Sequence, residues 1–590
     1  MTLDGLLERA TKSNPEKLAL ISREGDLTYR QLNNQVSALA NGLLNLGLRR
    51  GDRVAMLLPK CNEAVIAFLG VIRAGGIIAP INMRQKPNTL RVNFRQMKPF
   101  AVISEPLYFP ILKKHFLQVA PTGRIILTGS NQHVDSVSFN AILEKESEQP
   151  PNLNHSEQDV VYLNYTSGTT GLPKGAITTN GNLFWNTKGA VEMLRLNERD
   201  VHMSMFAMYA HPHELFCRSI YLSGTAVLLE SMYPKTIARA IEEFGVTCLM
   251  AVPPFFKSVF PVAKAKEFDL SSLRIPEGGG VYSPPEFCKE FEDIFQKRFI
   301  PVWGSTETSG IALATSPYED HRLGSLGKPC PGYEVHVLHP GGREADTDEV
   351  GELVISGSGV VQGYFNLIEE TEKNFHHGAC HTGDMVRRDA DGFYHFLGRR
   401  SGLMKVAGLK VYPTEVEMIL QKHPLIEEAA VVSLPDALRG EIPKAFVVLK
   451  SSASLDVKEI RSFCLQHLAD YKVPQQIEIR SELPKTESGK ISYVELAQEA
   501  RDTLADDEVK SLQRRVNSID SKILELLNSR VELVMRMMVL RGKKDQPVYS
   551  LQRSDEIIAR MIEENRGPIY DEAVEEIFKK IIELSLIIQS

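Results

Sequence analysis

Between Tyr165 and Gly175 the chain reads Tyr-Thr-Ser-Gly-Thr-Thr-Gly-Leu-Pro-Lys-Gly. Glycines let backbone N–H groups come close to an anion, the hydroxyls of Thr166, Ser167, Thr169 and Thr170 donate further hydrogen bonds, and Lys174 adds a point charge. These residues describe a cradle for phosphate. The spacing is not that of the G-x-x-x-x-G-K-[ST] loop, because Lys174 sits behind Pro173 and is followed by Gly175. Further on, Gly278-Gly279-Gly280 and Trp303-Gly304-Ser305-Thr306-Glu307 offer a flat aromatic beside glycines, which suits an adenine slot. A carboxylate after a hydroxyl, Glu307 after Thr306, suits a magnesium ion shared with phosphates. In His381-Thr382-Gly383-Asp384 the acidic Asp384 can accept from two ribose hydroxyls, and Arg399 is a second contact to nucleotide oxygens.

In this order the motifs resemble the adenylate-forming superfamily, which contains acyl-CoA synthetases, aryl-acid ligases and the adenylation domains of peptide synthetases. The resemblance covers roughly residues 1–500, opening with Leu27-Thr28-Tyr29 and Gly51-Asp52-Arg53-Val54. It implies ATP and Mg2+, with nucleotide contacts from Thr166, Ser167, Gly168, Thr169, Thr170, Gly171, Lys174, Gly279 and Gly280. It further implies Trp303 packed on adenine, Thr306 at the α-phosphate, Glu307 on the metal, Asp384 on the ribose and Arg399 beside it. Lys490, in Leu483-Pro484-Lys485-Thr486-Glu487-Ser488-Gly489-Lys490-Ile491, matches the family's adenylation lysine. Two anions must meet when a carboxylate attacks the α-phosphate, so a mobile cation is most valuable while charge redistributes. Gly408, within Lys405 to Pro413, matches the glycine that lines the channel for the thiol, whether coenzyme A or a carrier protein's phosphopantetheine. The resemblance puts the substrate pocket at Ala207, Met208, Tyr209 and Gly278. Ala207 stands where many relatives have a histidine, with His211 and His213 following. No acidic residue lies between Val201 and His213, which disfavours an α-amino acid, whose ammonium would need a partner. Ser401-Gly402 stands at the hinge, where relatives usually have Asp or Lys and a second charge.

After Asp506 the texture becomes three helical blocks, with breaks near Gly542 to Ser550 and at Gly567-Pro568. Leu512, Val516, Ile519, Ile523, Leu526, Leu533, Met537 and Leu540 step by three and four, which predicts a long amphipathic helix with Arg530 in a core slot. A buried arginine needs an anion, so the bundle holds either an internal ion pair or an acidic ligand. These helices resemble the all-helical chorismate mutase fold, an intertwined dimer that clamps a dicarboxylate and rearranges chorismate to prephenate. The resemblance implies carboxylate grips at Arg530, Arg541 and Arg553, with Ser585 and Gln589 completing the lining. Gln513, Ser550 and Ser554 depart from the family's arginine, aspartate and glutamate. A dimerisation module without catalysis is the rival reading.

The elements that must position these residues alternate. Leu32, Val36, Leu39, Ala40, Leu43 and Leu44 recur at helical spacing, Arg53 to Leu58 reads as a short buried strand, and Ala64 to Ile72 as another helix. Alternation of this kind predicts α/β architecture with a largely parallel sheet. At 590 residues several domains are expected. The expected order is an α/β large adenylation domain (1–398), a hinge (399–402), a small mobile α+β adenylation subdomain (403–500), a linker (501–508) and an all-α three-helix chorismate mutase-like domain (509–590). A net charge of -6 argues against nucleic acid, and seven scattered cysteines without a C-x-x-C pair fit a reducing compartment. No signal layout and no uncharged run of membrane-spanning length occur, so a cytoplasmic setting is expected. The whole reads as an ATP-dependent acid–thiol ligase acting on a non-amino-acid carboxylic acid, with a possible second activity in the tail and a homodimer formed through it.

Overall fold

A computed structural model describes residues 2–83, 85, 87–129, 133–166, 173–319, 322–436, 438–451, 453–485, 491–541, 551–567 and 569–587. The chain divides into two compact units, Met1–Ile491 and Ser492–Ser590.

The first unit is built around two large sheets. In the seven-stranded sheet Val137–Ser138, Arg124–Leu127, Ala101–Ser104, Arg53–Leu57, Ile77–Pro80 and Val160–Thr166 run parallel, and Lys174–Thr179 closes the edge antiparallel. In the nine-stranded sheet the parallel centre is Ile300–Ser305, Ile275–Gly278, Cys248–Ala251, Val201–Ser204, Thr225–Leu228 and Leu18–Ser22, flanked by antiparallel pairs. Strands covered by helices on both faces must be apolar along their length, and Val54 to Leu57 are all buried. The helix periodicity is realised as Tyr29–Asn45, opened by a capping box between Thr28 and Gln31, and as Asn62–Arg73. Arg73 is 1% exposed and paired, with Nε donating to Asp4 Oδ1 at 2.6 Å and Nη1 to Ser37 Oγ at 2.8 Å.

A five-stranded antiparallel sheet follows, including Tyr333–Leu338, Val350–Gly357, Ala379–Arg388 and Tyr394–Arg399. After a short turn at Arg400–Gly402 comes the small domain. Its five strands, Met404–Val406 and Leu409–Val411 as a hairpin, then Ile426–Asp436, Gly440–Leu449 and Gln476–Arg480, pack against helices Pro413–Lys422 and Val457–His467.

In the second unit three helices are present, Tyr493–Arg541, Leu551–Glu564 and Asp571–Ile587. Residues 501–508, expected as a linker, are helical within Tyr493–Arg541, because the segment holds neither glycine nor proline to stop the turn. The face marked as core stands open in the single chain: Leu512 is 51% exposed, Ile519 56%, Leu526 69% and Leu533 60%, and Arg530 between them is half-buried. Among the described side chains of this unit, Leu496, Ala500, Val534, Ile558, Val574 and Ile582 are buried.

Candidate active site

Open α/β sheets place their ligand sites beyond the carboxyl ends of parallel strands, and the motifs lie there. The phosphate loop follows Val160–Thr166; the 205–212 loop follows Val201–Ser204; the glycine run ends Ile275–Gly278; and the Thr306–Glu307 turn follows Ile300–Ser305.

The structure brings Trp303, Asp384 and Arg399 together. Antiparallel pairing sets Asp384 opposite Arg399, whose Nε meets Asp384 Oδ1 at 2.7 Å, while the Trp303 indole N–H donates to Oδ2 at 2.9 Å. Burial pushes the Asp384 carboxyl above its ordinary range, with Arg399 and the Trp303 N–H opposing. The half-buried indole is thereby held edge-on to a carboxylate, with Arg399 itself 59% open to incoming anions.

Thr306–Thr308 is a single 3-10 turn, fixed by the Thr308 hydroxyl, which accepts from the Ser305 N–H at 3.0 Å and donates to the Gly310 carbonyl at 2.8 Å. Tyr364 Oη donates to Glu307 Oε1 at 2.6 Å, and the Lys174 ammonium lies 5.3 Å over the same tyrosine ring. Lys174, 9% exposed, is engaged by Glu370 Oε2 at 2.5 Å. Tyr364 therefore stands between the two side chains that sequence reasoning assigned to metal and phosphate. Tyr364 and Glu370 were missed because their partners are 57 and 196 residues away and no local spacing announces them.

The substrate segment leaves Ala207 and Tyr209 half-buried and Met208 buried, with His211 within 3.5 Å of Asn164. A Cβ on Gly278 would lie 2.1 Å from Phe299, and one on Gly279 2.9 Å from Val302, so core packing alone demands these glycines. Gly280 adopts φ 77°. At the hairpin Ala407 (φ 50°) and Gly408 (φ 84°) form the turn, and nothing lies within 4 Å of a Cβ built on Gly408.

Ser167, Gly168, Thr169, Thr170, Gly171, Lys490 and Gln589, and the side chains of Thr166, Ser401, Arg541 and Ser585, lie outside the described residues. In the tail Arg553 and Gln513 are exposed and Ser554 half-buried. Among the described residues no group of three His, Cys, Asp or Glu side chains could hold a metal ion. Magnesium needs only one or two protein carboxylates when phosphates and waters supply the rest, and Glu307 fits that demand.

Residues 7–365 match the family described as AMP-binding enzyme, 415–490 its C-terminal domain, and 512–590 chorismate mutase type II. A feruloyl-CoA synthase of Amycolatopsis sp is 32% identical over 501 residues, 82% of this chain and 96% of that protein. A long-chain-fatty-acid–CoA ligase of Bacillus subtilis (strain 168) is 31% identical over 529 residues, 84% of this chain and 94% of the relative. Among solved structures, the anthranilate CoA ligase AuaEII in complex with anthranoyl-AMP superposes with TM-score 0.79 at 28% identity, covering 86% of this chain and 98% of the other. ATP-bound MatB from Rhodopseudomonas palustris gives TM-score 0.79 at 26% identity, covering 85% and 100%.

Proposed function

We propose that this chain, which belongs to the AMP-binding enzymes and ends in a chorismate mutase type II domain, joins a non-amino-acid carboxylic acid to the thiol of coenzyme A at the expense of ATP. The observation that carries this reading is the contact of Trp303, Asp384 and Arg399, and of Glu307, Tyr364 and Lys174, with Trp303 in the strand Ile300–Ser305 and Glu307 in the turn that follows it. The first group suits a nucleoside and the second a triphosphate.

In the first step a carboxylate oxygen attacks the α-phosphorus and pyrophosphate leaves; in the second the thiol sulfur attacks the acyl carbonyl and AMP leaves. Asp384 accepts from ribose hydroxyls, Arg399 turns toward nucleotide oxygens, and Thr306 donates to the α-phosphate. Glu307 would hold magnesium, which when bound would supply charge neutralisation. Lys174 trades Glu370 for phosphate, and Lys490 serves the acid's attack. The small domain, from a hinge at 399–402, then turns to bring Gly408 to the thiol channel. Its end falls near residue 491, where the first compact unit closes.

For the acid, the absence of any carboxylate between Val201 and His213 supports a substrate without an ammonium. The feruloyl and anthranilate relatives, and the mutase domain, support an aromatic or shikimate-derived acid. Seven buried free thiols support a reducing, cytoplasmic setting. A pyrophosphate-release assay with ferulate, anthranilate, benzoate, malonate and octanoate tests the reading, with coenzyme A and carrier-bound phosphopantetheine compared as acceptors. Turnover of none of these acids would overturn it. Turnover only with the carrier would select the rival, a carrier-loading ligase.

The tail converts chorismate to prephenate with Arg530, Arg541 and Arg553 on the substrate carboxylates and Ser585 and Gln589 in the lining. It pairs two copies of the chain, which the half-open apolar face of Tyr493–Arg541 supports. Chorismate loss at its ultraviolet absorbance, abolished by Arg530→Ala, tests the activity; a chain that dimerises but leaves chorismate untouched selects the purely structural role.

A further inference from the structure

Behind the turn that carries Thr306 and Glu307 lies a buried ion network so far without a role. Arg218, 4% exposed at its side chain, donates to both oxygens of Glu277 at 2.7 and 3.0 Å and to Glu214 Oε2 at 2.5 Å. Glu214 and Arg218 stand four apart on the helix His213–Leu222, hence on one face. Glu277 is in the strand Ile275–Gly278, directly ahead of the glycine run. Desolvating three charges is costly, and apolar residues of similar volume would serve stability as well. The arrangement calls for a reason other than stability.

What Arg218 joins supplies one. Glu214 abuts the exit of the turn: a Cβ on Gly310 (φ 122°) would lie 2.3 Å from Glu214 Oε1. Its neighbour His213 bonds the Ser309 carbonyl from Nε2 at 2.7 Å. A carbonyl only accepts, so the ring carries its proton on Nε2, and burial keeps the ring neutral. From the other side Tyr333 Oη donates to the Thr308 carbonyl at 2.6 Å and Asn186 Nδ2 to the Ile311 carbonyl at 2.9 Å. Each residue from 308 to 311 is thus gripped or abutted by a buried side chain, and Arg218 ties that clamp to the strand of Gly278.

We propose that Arg218, with Glu214 and Glu277, is a positioning group for the ligase reaction, fixing the Thr306–Glu307 turn in register with the glycine run at 278–280. The inference rests on the ligase reading above. It predicts that loosening the network harms the chemical step more than binding, because misregister is felt when attacking and leaving oxygens must align.

The test uses the full chain with MgATP and whichever of ferulate, anthranilate, benzoate, malonate or octanoate the parent turns over fastest, comparing Glu277→Gln, Arg218→Met, His213→Gln and His213→Leu. Glu277→Gln, of equal shape, is expected to lower kcat for pyrophosphate release about ten-fold or more while KM for MgATP and acid stays within about three-fold. His213→Gln, able to donate to the Ser309 carbonyl, is expected to keep at least about a third of parental kcat, and His213→Leu to lose about ten-fold. Melting curves identify folded variants; if Arg218→Met does not fold, the Glu277 and His213 variants decide. Folded Glu277→Gln and His213→Leu proteins with parental kcat would overturn the inference. So would losses that only follow the folded fraction. A parent that activates none of the acids would instead remove the ligase reading and this inference with it.

Discussion

Asp384 is under two opposed demands, since the ribose it is proposed to hold needs an ionised acceptor while its 2% exposure disfavours the charge. Its carboxyl sits above the ordinary range when folded, so the stability it lends is complete only below the unfolded value and is lost as pH rises through the folded one. At neutral pH the ionised group is therefore a cost. Asp384→Asn should melt no lower than the parent at pH 7 while raising KM for ATP about 10-fold to 100-fold, or about 1.4–2.7 kcal/mol; titrating ATP in pyrophosphate exchange checks it. Histidines give the opposite slope. His202 is moved by burial, with Arg218 adding to the effect, from 6.5 to about 3, and His213 is lowered by burial as well. Both rings take up protons on unfolding, so both lose stability as pH falls; for His202 the loss runs from about 6.5 toward about 3, by about 1.4 kcal/mol per pH unit. Urea midpoints between pH 7 and 4.5 should fall less steeply in His202→Gln. Trp303 and Asp384, singled out from separate local motifs, are in contact in the fold. The pairings of Glu307 with Tyr364 and of Lys174 with Glu370 were not legible, because a side chain's partner across the fold leaves no mark in its own neighbourhood.

Among the elements, apolar spacing foretold the helices Tyr29–Asn45 and Asn62–Arg73 and the strand Arg53–Leu57. Apolar period is written in neighbouring residues, which is why it could be read. The antiparallel third sheet was not anticipated, since strand order depends on which edges meet rather than on any one segment. The hairpin of Met404–Val406 and Leu409–Val411 offers an element-scale test. Gly408 holds φ 84° in open space, so alanine there costs only backbone strain, about 1–2 kcal/mol. If that turn borders the thiol channel once the small domain has rotated, Gly408→Ala should leave pyrophosphate exchange within about three-fold and slow thioester formation at least about ten-fold. Equal slowing of both half-reactions would remove the turn from the channel.

For the whole molecule, the tail poses a packing problem that a single chain does not solve. A helix with apolar residues at every third and fourth place normally turns them inward, yet Val516 and Ile523 are each 50% exposed and Leu526 69%. Among the described side chains of this unit only a few, such as Val534, Ile558, Val574 and Ile582, are buried. An isologous pair would cover the same stripe on both copies at once. Arginine at Leu526 then enters the seam twice, and each unpaired buried charge costs several kcal/mol. Leu526→Arg in the full chain should shift sizing from dimer to monomer, whereas arginine at the already solvated Glu532 should not. The same variant separates the two chemistries. The proposed ligase site draws its described residues from within Met1–Ile491, so pyrophosphate release should persist at the parental rate in the monomer. If the mutase clamp is closed by the second copy, chorismate consumption should fall with the dimer, and a monomer that still rearranges chorismate would show that one tail suffices.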